Sequence, residues 1–596
     1  MKTPFVTLLF AFGICLIGLL MPMTSLAQQA KKPNILFIIS DDLTTTAVSS
    51  YENSAGYTPN IDRLAEEGTR FTRAYCQYPV CGPSRASMMS GYYPHATGTY
   101  GYVSGRENIG PDKKMWPQLF KENGWFTARV SKIYHMGVPI DIEKGSNGTD
   151  DEASWNERYN SQGPEWTADG EAELVQNNPF GLLPRKGGNV MTIVKADGDD
   201  LVHSDGKTAA KASAMIRAHK GEPFFLAVGL VRPHVPFVAP KPYFDRFPYE
   251  QVVLPPKVKG DWDDIPAGGI NYVTTLNAKM TEEQQKKAIA AYYASVSYMD
   301  AQVGKILNTL KEEGLEDNTI VIFTSDHGFH LGEHDFWMKV SLKEESVRVP
   351  LIVKIPGQKP QVANGFVELI DLYPTIAELA GLQVKDAIQG ISFVPTLKNP
   401  TIKTRDMAFS VNTWRGNHAF LLRNEKWAFT LYGEDGAAGI DFSHKSYLLM
   451  VMAFVLIFSC DEKKVEVMTD NLPNVILLLG DDHGWDETGY NGHPYLHTPV
   501  LDEMAENGVR MDRFYSASPV CSPTRGSIIT GRHPNRYGTF TPGFSIRPEE
   551  ISIAESMQEA GYVTSHLGKW HLGPVKDDSP TNPKHFGFDE YLSHDN

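Results

Sequence analysis

The decapeptide PNILFIISDD at residues 33–42 returns as PNVILLLGDD at 473–482. The register then holds at a constant offset of 440 residues: TPNIDRLAEEG (58–68) falls on TPVLDEMAENG (498–508), and PVCGPSRASMMSGYYP (79–94) on PVCSPTRGSIITGRHP (519–534). A repeat of this length means that one domain start occurs twice, so any fold proposed for the first copy must also open the second. The second copy runs only to Asn596, too short for the whole sheet that the first is expected to build. Residues 28–440 are read as a nearly complete enzyme domain, and 473–596 as the amino-terminal fragment of a related one. Two adjacent genes merged by a frameshift or an assembly error would produce this order, and that reading is preferred here to a working tandem protein.

Two apolar segments punctuate the chain. Residues 1–27 have the plan of a signal peptide: Lys2, an apolar run from Phe5 to Leu20, and Ser25-Leu26-Ala27 as a small-residue cleavage site. The expected location is therefore periplasmic or secreted. Between the copies, Lys445 precedes an apolar run from Tyr447 to Phe458 that is shorter than the ~20 helical residues needed to cross a bilayer. Residues 441–472 are read as a second leader and tether, with a buried strand as the alternative. Cys460 follows Ser459 as in a lipoprotein processing site, and lipid anchoring there follows only if that leader is processed separately. The other cysteines are Cys15, Cys76, Cys81 and Cys521, too few for a disulfide framework in an exported chain. Cys76 is expected to be a small buried apolar residue. A net charge of -15 argues against a nucleic-acid partner, since neutralising phosphates takes a basic face. An anionic substrate must instead be drawn in by local lysine, arginine or metal charge.

Along the first copy, apolar strand-like runs alternate with capped helices, the pattern of a mostly parallel α/β sheet. NILFIIS (34–40) ends in Asp41-Asp42, FTARVS (126–131) in Lys132 with His135 beyond, PFFLAVGLV (223–231) in Arg232-Pro233-His234, and NTIVIFTS (318–325) in Asp326-His327. PLIVKIP (350–356) is a further strand and 371–381 a helix; Thr58-Pro59 opens an earlier helix with Thr58 as its cap and the proline in its first turn, and Gly68 closes it. Ligands of open α/β sheets bind beyond the carboxyl ends of the strands, where all these polar residues fall. Aspartate is common in turns, so Asp41-Asp42 alone would mean little; several strand ends carrying such residues indicate one shared site. Three carboxylates suit Ca²⁺ or Mg²⁺, and nothing in the spacing selects the ion; zinc is open only if more than one metal binds. Cys81 precedes Pro83 at an expected helix start, an anion-binding position, with Arg85 one turn on to clamp an oxyanion. A plain thiolate nucleophile there is one reading, a buried thiol in a helix cap another.

With Gly91 after it, Cys81-Gly82-Pro83-Ser84-Arg85 resembles the signature of the type I sulfatases, whose cysteine is oxidised to formylglycine by a formylglycine-generating enzyme. YCQYPVCGPSRASMMSG, VSKIYH, RPHVPF and DHGFHLGEHDFWMKVSLKEESVRVPLIV are most similar to iduronate-2-sulfatases. The resemblance covers about 33–440, and 473–596 matches the family's amino-terminal quarter through Asp481, Asp482, Cys521, Arg525, Lys569 and His571. It implies an alkaline-phosphatase-like sandwich, a central mostly parallel sheet flanked by helices, with a small carboxy-terminal subdomain that departs from the family pattern near Gly439-Ile440 and is expected to be truncated. It further implies one Ca²⁺ held by Asp41, Asp42, Asp326 and His327 with the modified Cys81, and a sulfate pocket of Arg85, Lys132, His135, His234 and Lys339.

The chemistry so implied is hydrolysis of a sulfate ester in a sulfated carbohydrate, with a 2-O-sulfated uronic acid as the expected sugar and RPHVPF and YFDRFP as the pocket wall. A formylglycine hydrate attacks sulfur, His234 with Lys339 protonates the leaving oxygen, and His135 acts as base for release, while Lys132 offsets sulfuryl charge. Three alternatives stand beside it: a phosphoester or phosphonate hydrolase of the same superfamily, a non-catalytic sulfated-glycan binder, and a fusion too damaged to act. Phosphate would favour a second metal, and the sequence offers ligands for one.

Overall fold

The computed structural model describes residues 32–441 and 474–594, apart from 52–55, 180, 184–189, 264, 271, 415–416, 433–436, 512–513, 540 and 542–544. The signal segment 1–27 lies outside the described residues, as does the second leader apart from Asp441. The chain divides into two compact units, Met1–Ser459 and Cys460–Asn596.

Unit 1 is built on an eight-stranded sheet: β1 (Asn34–Asp41), β2 (Thr69–Tyr75), β3 (Phe126–Ser131), β4 (Glu157–Tyr159), β5 (Phe224–Pro233), β6 (Thr319–Ser325), β7 (Arg348–Lys354) and β8 (Gln361–Glu368), in the spatial order β8-β2-β7-β6-β1-β5-β3-β4. Only β7, the PLIVKIP strand, runs antiparallel to its neighbours. Strand β1 shows why the apolar runs are continuous rather than alternating. Leu36 and Ile38 enter one core, together with the helix α3 (Ser204–Ala218) and the long helix α4 (Glu282–Glu312), whereas Ile35, Phe37 and Ile39 enter the other. Successive side chains point to opposite faces, so a strand covered on both must be apolar at every position. A second sheet of four antiparallel strands, β9 (Met407–Trp414), β10 (Asn417–Asn424), β11 (Trp427–Leu431) and β12 (Ala437–Asp441), follows in the order of the chain. This is the small carboxy-terminal sheet expected of the alkaline-phosphatase-like plan.

Helices α1 (Pro59–Glu67), α2 (Cys81–Ser90) and α5 (Leu372–Leu379) lie where the sequence put them, with one correction. Thr58 does not cap α1 with its side chain; its hydroxyl bonds Asp62 and accepts from the Ser49 amide. The exposed amides of α1 go instead to Asp300 of α4, which accepts from Asn60 N at 3.2 Å and Ile61 N at 2.8 Å. Burial pushes the Asp300 carboxyl up to about 6, against the lowering effect of those amides. Its folded value lies above the unfolded one, so its contribution to stability is full below about pH 4 and is lost as the pH rises through 6. Urea unfolding of the wild-type protein should show a loss of about 3 kcal/mol from this group between pH 4 and pH 7, absent from Asp300→Asn; parallel pH dependences in the two proteins would refute it.

Unit 2 repeats the local start and not the core. It has α6 (Pro499–Asn507), α7 (Cys521–Thr530) and two parallel strands, Ser565–Lys569 and Glu590–His594, around a small cluster that includes Ile529, Trp570, Leu572 and Phe586. The run matching β1 forms no strand here, and Val475 to Leu479 are exposed, Ile476 at 82%. In unit 1 that run is flanked by β5 and β6. Unit 2 has no counterpart of either strand among its described residues.

Candidate active site

Four neighbouring strands, β6, β1, β5 and β3, deliver their carboxyl ends to one point. After β1 the chain turns through a left-handed residue, Asp42 at φ 68°, a conformation that aspartate tolerates better than most side chains. Asp482 of unit 2 repeats it at φ 53°. Strand β3 hands over Lys132, whose backbone crosses so close to β5 that a Cβ on Gly229 would lie 2.1 Å from the Lys132 carbonyl oxygen. A glycine is required there for close backbone approach.

Cys81 is the first residue of α2 and is 2% exposed. Its Sγ lies 3.2 Å from His327 Nε2, 3.2 Å from Lys339 Nζ and 3.8 Å from Asp42 Oδ1. Burial pushes the thiol well up and Asp41 adds to the shift, which counts against the plain thiolate reading. Cys76 is buried as expected, and burial raises its thiol too.

Arg85 departs from the expected oxyanion clamp. It is fully buried, and its fork is spent on protein groups: Nε donates to Asp326 at 2.8 Å, Nη2 to Asp41 at 3.2 Å, and Nη1 to the carbonyls of Lys132 and Ile133. It therefore holds three strand ends together. Lys132 Nζ pairs with Asp41. Burial pushes the Asp41 carboxyl up, but Lys132 and Arg85 outweigh it and hold it well below the usual range. Asp42 is opposite: burial raises it, Asp41 and Asp326 add repulsion, and Lys339 at 2.7 Å does not fully offset them.

Ligand atoms of Asp41, Asp42, Cys81 and His327 lie within 4.8 Å of one another, all buried. Asp326 adjoins them, its Oδ2 3.8 Å from His327 Nε2. His327 places Nδ1 2.9 Å from the Gly328 carbonyl, so that nitrogen donates and Nε2 turns a lone pair to the cluster. Hard carboxylates, mutual repulsion at Asp42 and an imidazole oriented in this way fit a divalent cation.

His234 puts Nδ1 2.5 Å from the Val235 carbonyl and Nε2 3.9 Å from Asp42; burial and Lys339 hold it well below the ordinary histidine value. His135, half-buried, is pushed down to about 2 by burial and Lys132. Asp41, Asp42, Cys81, Arg85, Lys132, His234, Asp326, His327 and Lys339 thus meet, while Tyr243 of YFDRFP bonds Asp200 and packs edge-on to Tyr298 of α4, bracing the helical layer. Sequence reasoning missed the supports. Tyr292 of α4 donates to the Asp42 carbonyl at 2.6 Å. Arg232 pairs with Glu165 and donates to the His234 carbonyl, and Asp205 accepts the amides of Val231 and Arg232. The pairings of Tyr292, Glu165 and Asp205 join residues distant in the chain, so spacing carries no signal of them.

In unit 2 the same half of the site recurs. Arg525 bonds Asp481 at 3.0 Å and the Lys569 carbonyl at 2.6 Å, Lys569 bonds Asp481 at 2.7 Å, and Cys521 Sγ lies 3.6 Å from Asp482. His571 follows at φ 55°. Asp481 and Asp482 are exposed, where Asp41 and Asp42 are buried.

A parallel sheet with a carboxylate, lysine and histidine cluster around one residue at a helix start defines a hydrolase of tetrahedral oxyanion esters. The Sulfatase family model matches residues 33–382 and 473–596. A sulfatase of Formosa agariphila is 31% identical over 446 residues, covering 70% of this chain and 82% of that one. Human iduronate 2-sulfatase is 33% identical over 407 residues, covering 59% and 69%. Among solved structures, a phosphonate monoester hydrolase from Silicibacter pomeroyi aligns with a TM-score of 0.56 at 20% identity, over 71% of this chain and 94% of that one; it shares the fold. The chain belongs to the sulfatase family, and it is a sulfuric ester hydrolase.

Proposed function

We propose that unit 1 removes the sulfate from a 2-O-sulfated uronic acid in a sulfated polysaccharide, in a chain exported by its first leader. The observation that carries it is the buried convergence of Asp41, Asp42 and His327 on Cys81 with Lys339 and Lys132 beside them. The likeness to iduronate 2-sulfatase supports the choice of sugar. Asp41, Asp42, Asp326 and His327 would hold the cation, Ca²⁺ by the sulfatase resemblance, and bound there it would act as a Lewis acid toward sulfate oxygen. Oxidised to formylglycine by a generating enzyme, residue 81 would supply a hydrated aldehyde as the nucleophile.

The other roles belong to unmodified side chains. Lys132 and Lys339, buried beside Cys81, bind the sulfate oxygens by charge. Lys339 remains an ammonium, since burial lowers its pKa but the Asp42 carboxylate 2.7 Å away raises it well above the usual value. His234 is kept neutral by burial and Lys339, and an arriving sulfate offsets that positive charge, so the imidazole takes up a proton only when substrate is present. From Nε2 it delivers that proton to the leaving sugar oxygen. His135, neutral at working pH, accepts a proton during release. Arg85 acts by holding the carboxylates.

Turnover of 2-O-sulfated unsaturated disaccharides, against 6-O-sulfated ones and a phosphonate monoester, tests the substrate. Preference for the phosphonate would overturn the reading in favour of the hydrolase whose fold it shares. Calcium at a hundredfold excess over its Kd should stabilise the protein by about 3 kcal/mol, seen as a rise in melting temperature that EDTA reverses and Asp42→Asn abolishes. No shift in the wild-type protein would remove the cation from the scheme.

A further inference from the structure

Beside Cys81 lies a loop that the reaction has not used, residues 98–105. Its sequence GTYGYVSG is pinned from both sides. Tyr100 packs against Tyr78, with ring centroids 6.2 Å apart, and against His418 of β10 at 5.0 Å. Tyr102 stacks on His135, with centroids at 4.1 Å and planes 23° apart. The loop also dictates the residue next to the nucleophile, because a Cβ on Gly82 would lie 2.8 Å from both the Gly101 carbonyl oxygen and Tyr102 Cδ1. Unit 2 has Ser522 at that position of the repeat. Tyr102 therefore sits one residue from position 81 and against the imidazole assigned to release, yet it remains 55% exposed.

An aromatic ring half open to solvent and packed on a histidine beside a buried charged cluster is a surface for the C–H face of a pyranose: the flat apolar side of the sugar loses water against it while its hydroxyls stay hydrated. Lysine charge selects the sulfate but carries no information about what bears it. Tyr102 joins the two sides of that problem, since it packs on His135 and on the backbone next to residue 81.

We propose that Tyr102 is a specificity-determining residue, a platform that stacks on the pyranose ring carrying the sulfate while its contact with His135 fixes the distance between ring and proton acceptor. The proposal rests on the sulfatase reading above, and its test is separable because binding can be read without turnover. In full-length Cys81→Ala protein, calorimetry with a 2-O-sulfated disaccharide and with inorganic sulfate separates ring from anion. Adding Tyr102→Ala should weaken the disaccharide about tenfold and leave inorganic sulfate within about twofold, and Tyr102→Phe should restore the disaccharide. Equal weakening of both ligands would reduce Tyr102 to a prop for the site, and an unchanged disaccharide affinity would exclude the platform; either overturns the proposal. In active protein, Tyr102→Ala should lower kcat/KM for the disaccharide about tenfold, and Tyr102→Phe should restore it. A wild-type chain that shows the Tyr102-dependent binding but hydrolyses no sulfate ester would refute the reaction and leave the platform standing.

Discussion

Cys81→Ala protein should turn over sulfate esters at least about 10⁴-fold more slowly than wild type, while melting within a few degrees of it. The residue is small, and removing its Sγ strands no buried charge: Lys339 keeps Asp42 at 2.7 Å and His327 keeps the Gly328 carbonyl. Mass spectrometry of the tryptic peptide carrying residue 81 is the companion measurement. Active wild-type protein should show a loss of about 18 Da at Cys81, the change from thiol to aldehyde. Protein made without a formylglycine-generating enzyme should keep the thiol and be inactive, because burial and Asp41 hold that thiol protonated. Turnover by protein with an intact thiol would sink the mechanism.

Arg85 should produce the largest effect on stability. Arg85→Met leaves Asp41 and Asp326 facing each other without the guanidinium between them, and removing one partner of a buried ion pair costs about 3–5 kcal/mol. Lysine should rescue little, because one ammonium cannot reach Asp326, Asp41 and two carbonyls at once. The cation proposed for this site would offset charge on the same carboxylates, so the melting-temperature gap between Arg85→Met and wild type should be wider in EDTA than in excess calcium. A variant that melts with wild type in EDTA would show that the carboxylates need no such compensation.

Much of this architecture was legible in residues alone. Apolar runs ending in Asp41-Asp42, Lys132, Arg232-Pro233-His234 and Asp326-His327 identify buried strands and their functional ends, because a strand covered on both faces must be apolar throughout and its last residue is the first that can be polar. The Cys-x-Pro-x-Arg stretch placed Cys81 at a helix start. The repeat revealed two starts of one domain, with the half-site of Asp481, Cys521, Arg525 and Lys569 following from it.

Other features depend on which distant segments become neighbours. The spatial order β6-β1-β5-β3 is unrelated to chain order, so the sequence pointed to a shared site without saying which strand ends adjoin. Arg85 read as a clamp for substrate until the fold surrounded it with two carboxylates and two carbonyls, which satisfy a buried guanidinium before any ligand can. Thr58 read as a helix cap until Asp300 brought a stronger acceptor to the same amides. Tyr102 and Gly82 acquire meaning only from a 2.8 Å approach across a loop. Sequence by itself determined five of the eight strands of the large sheet, which residues stand at their ends and that the domain begins twice, since local periodicity and covalent order carry that information. Tertiary structure alone decided which charges pair and which copy encloses its first strand, because desolvation and pairing depend on the surroundings assembled by distant parts of the chain.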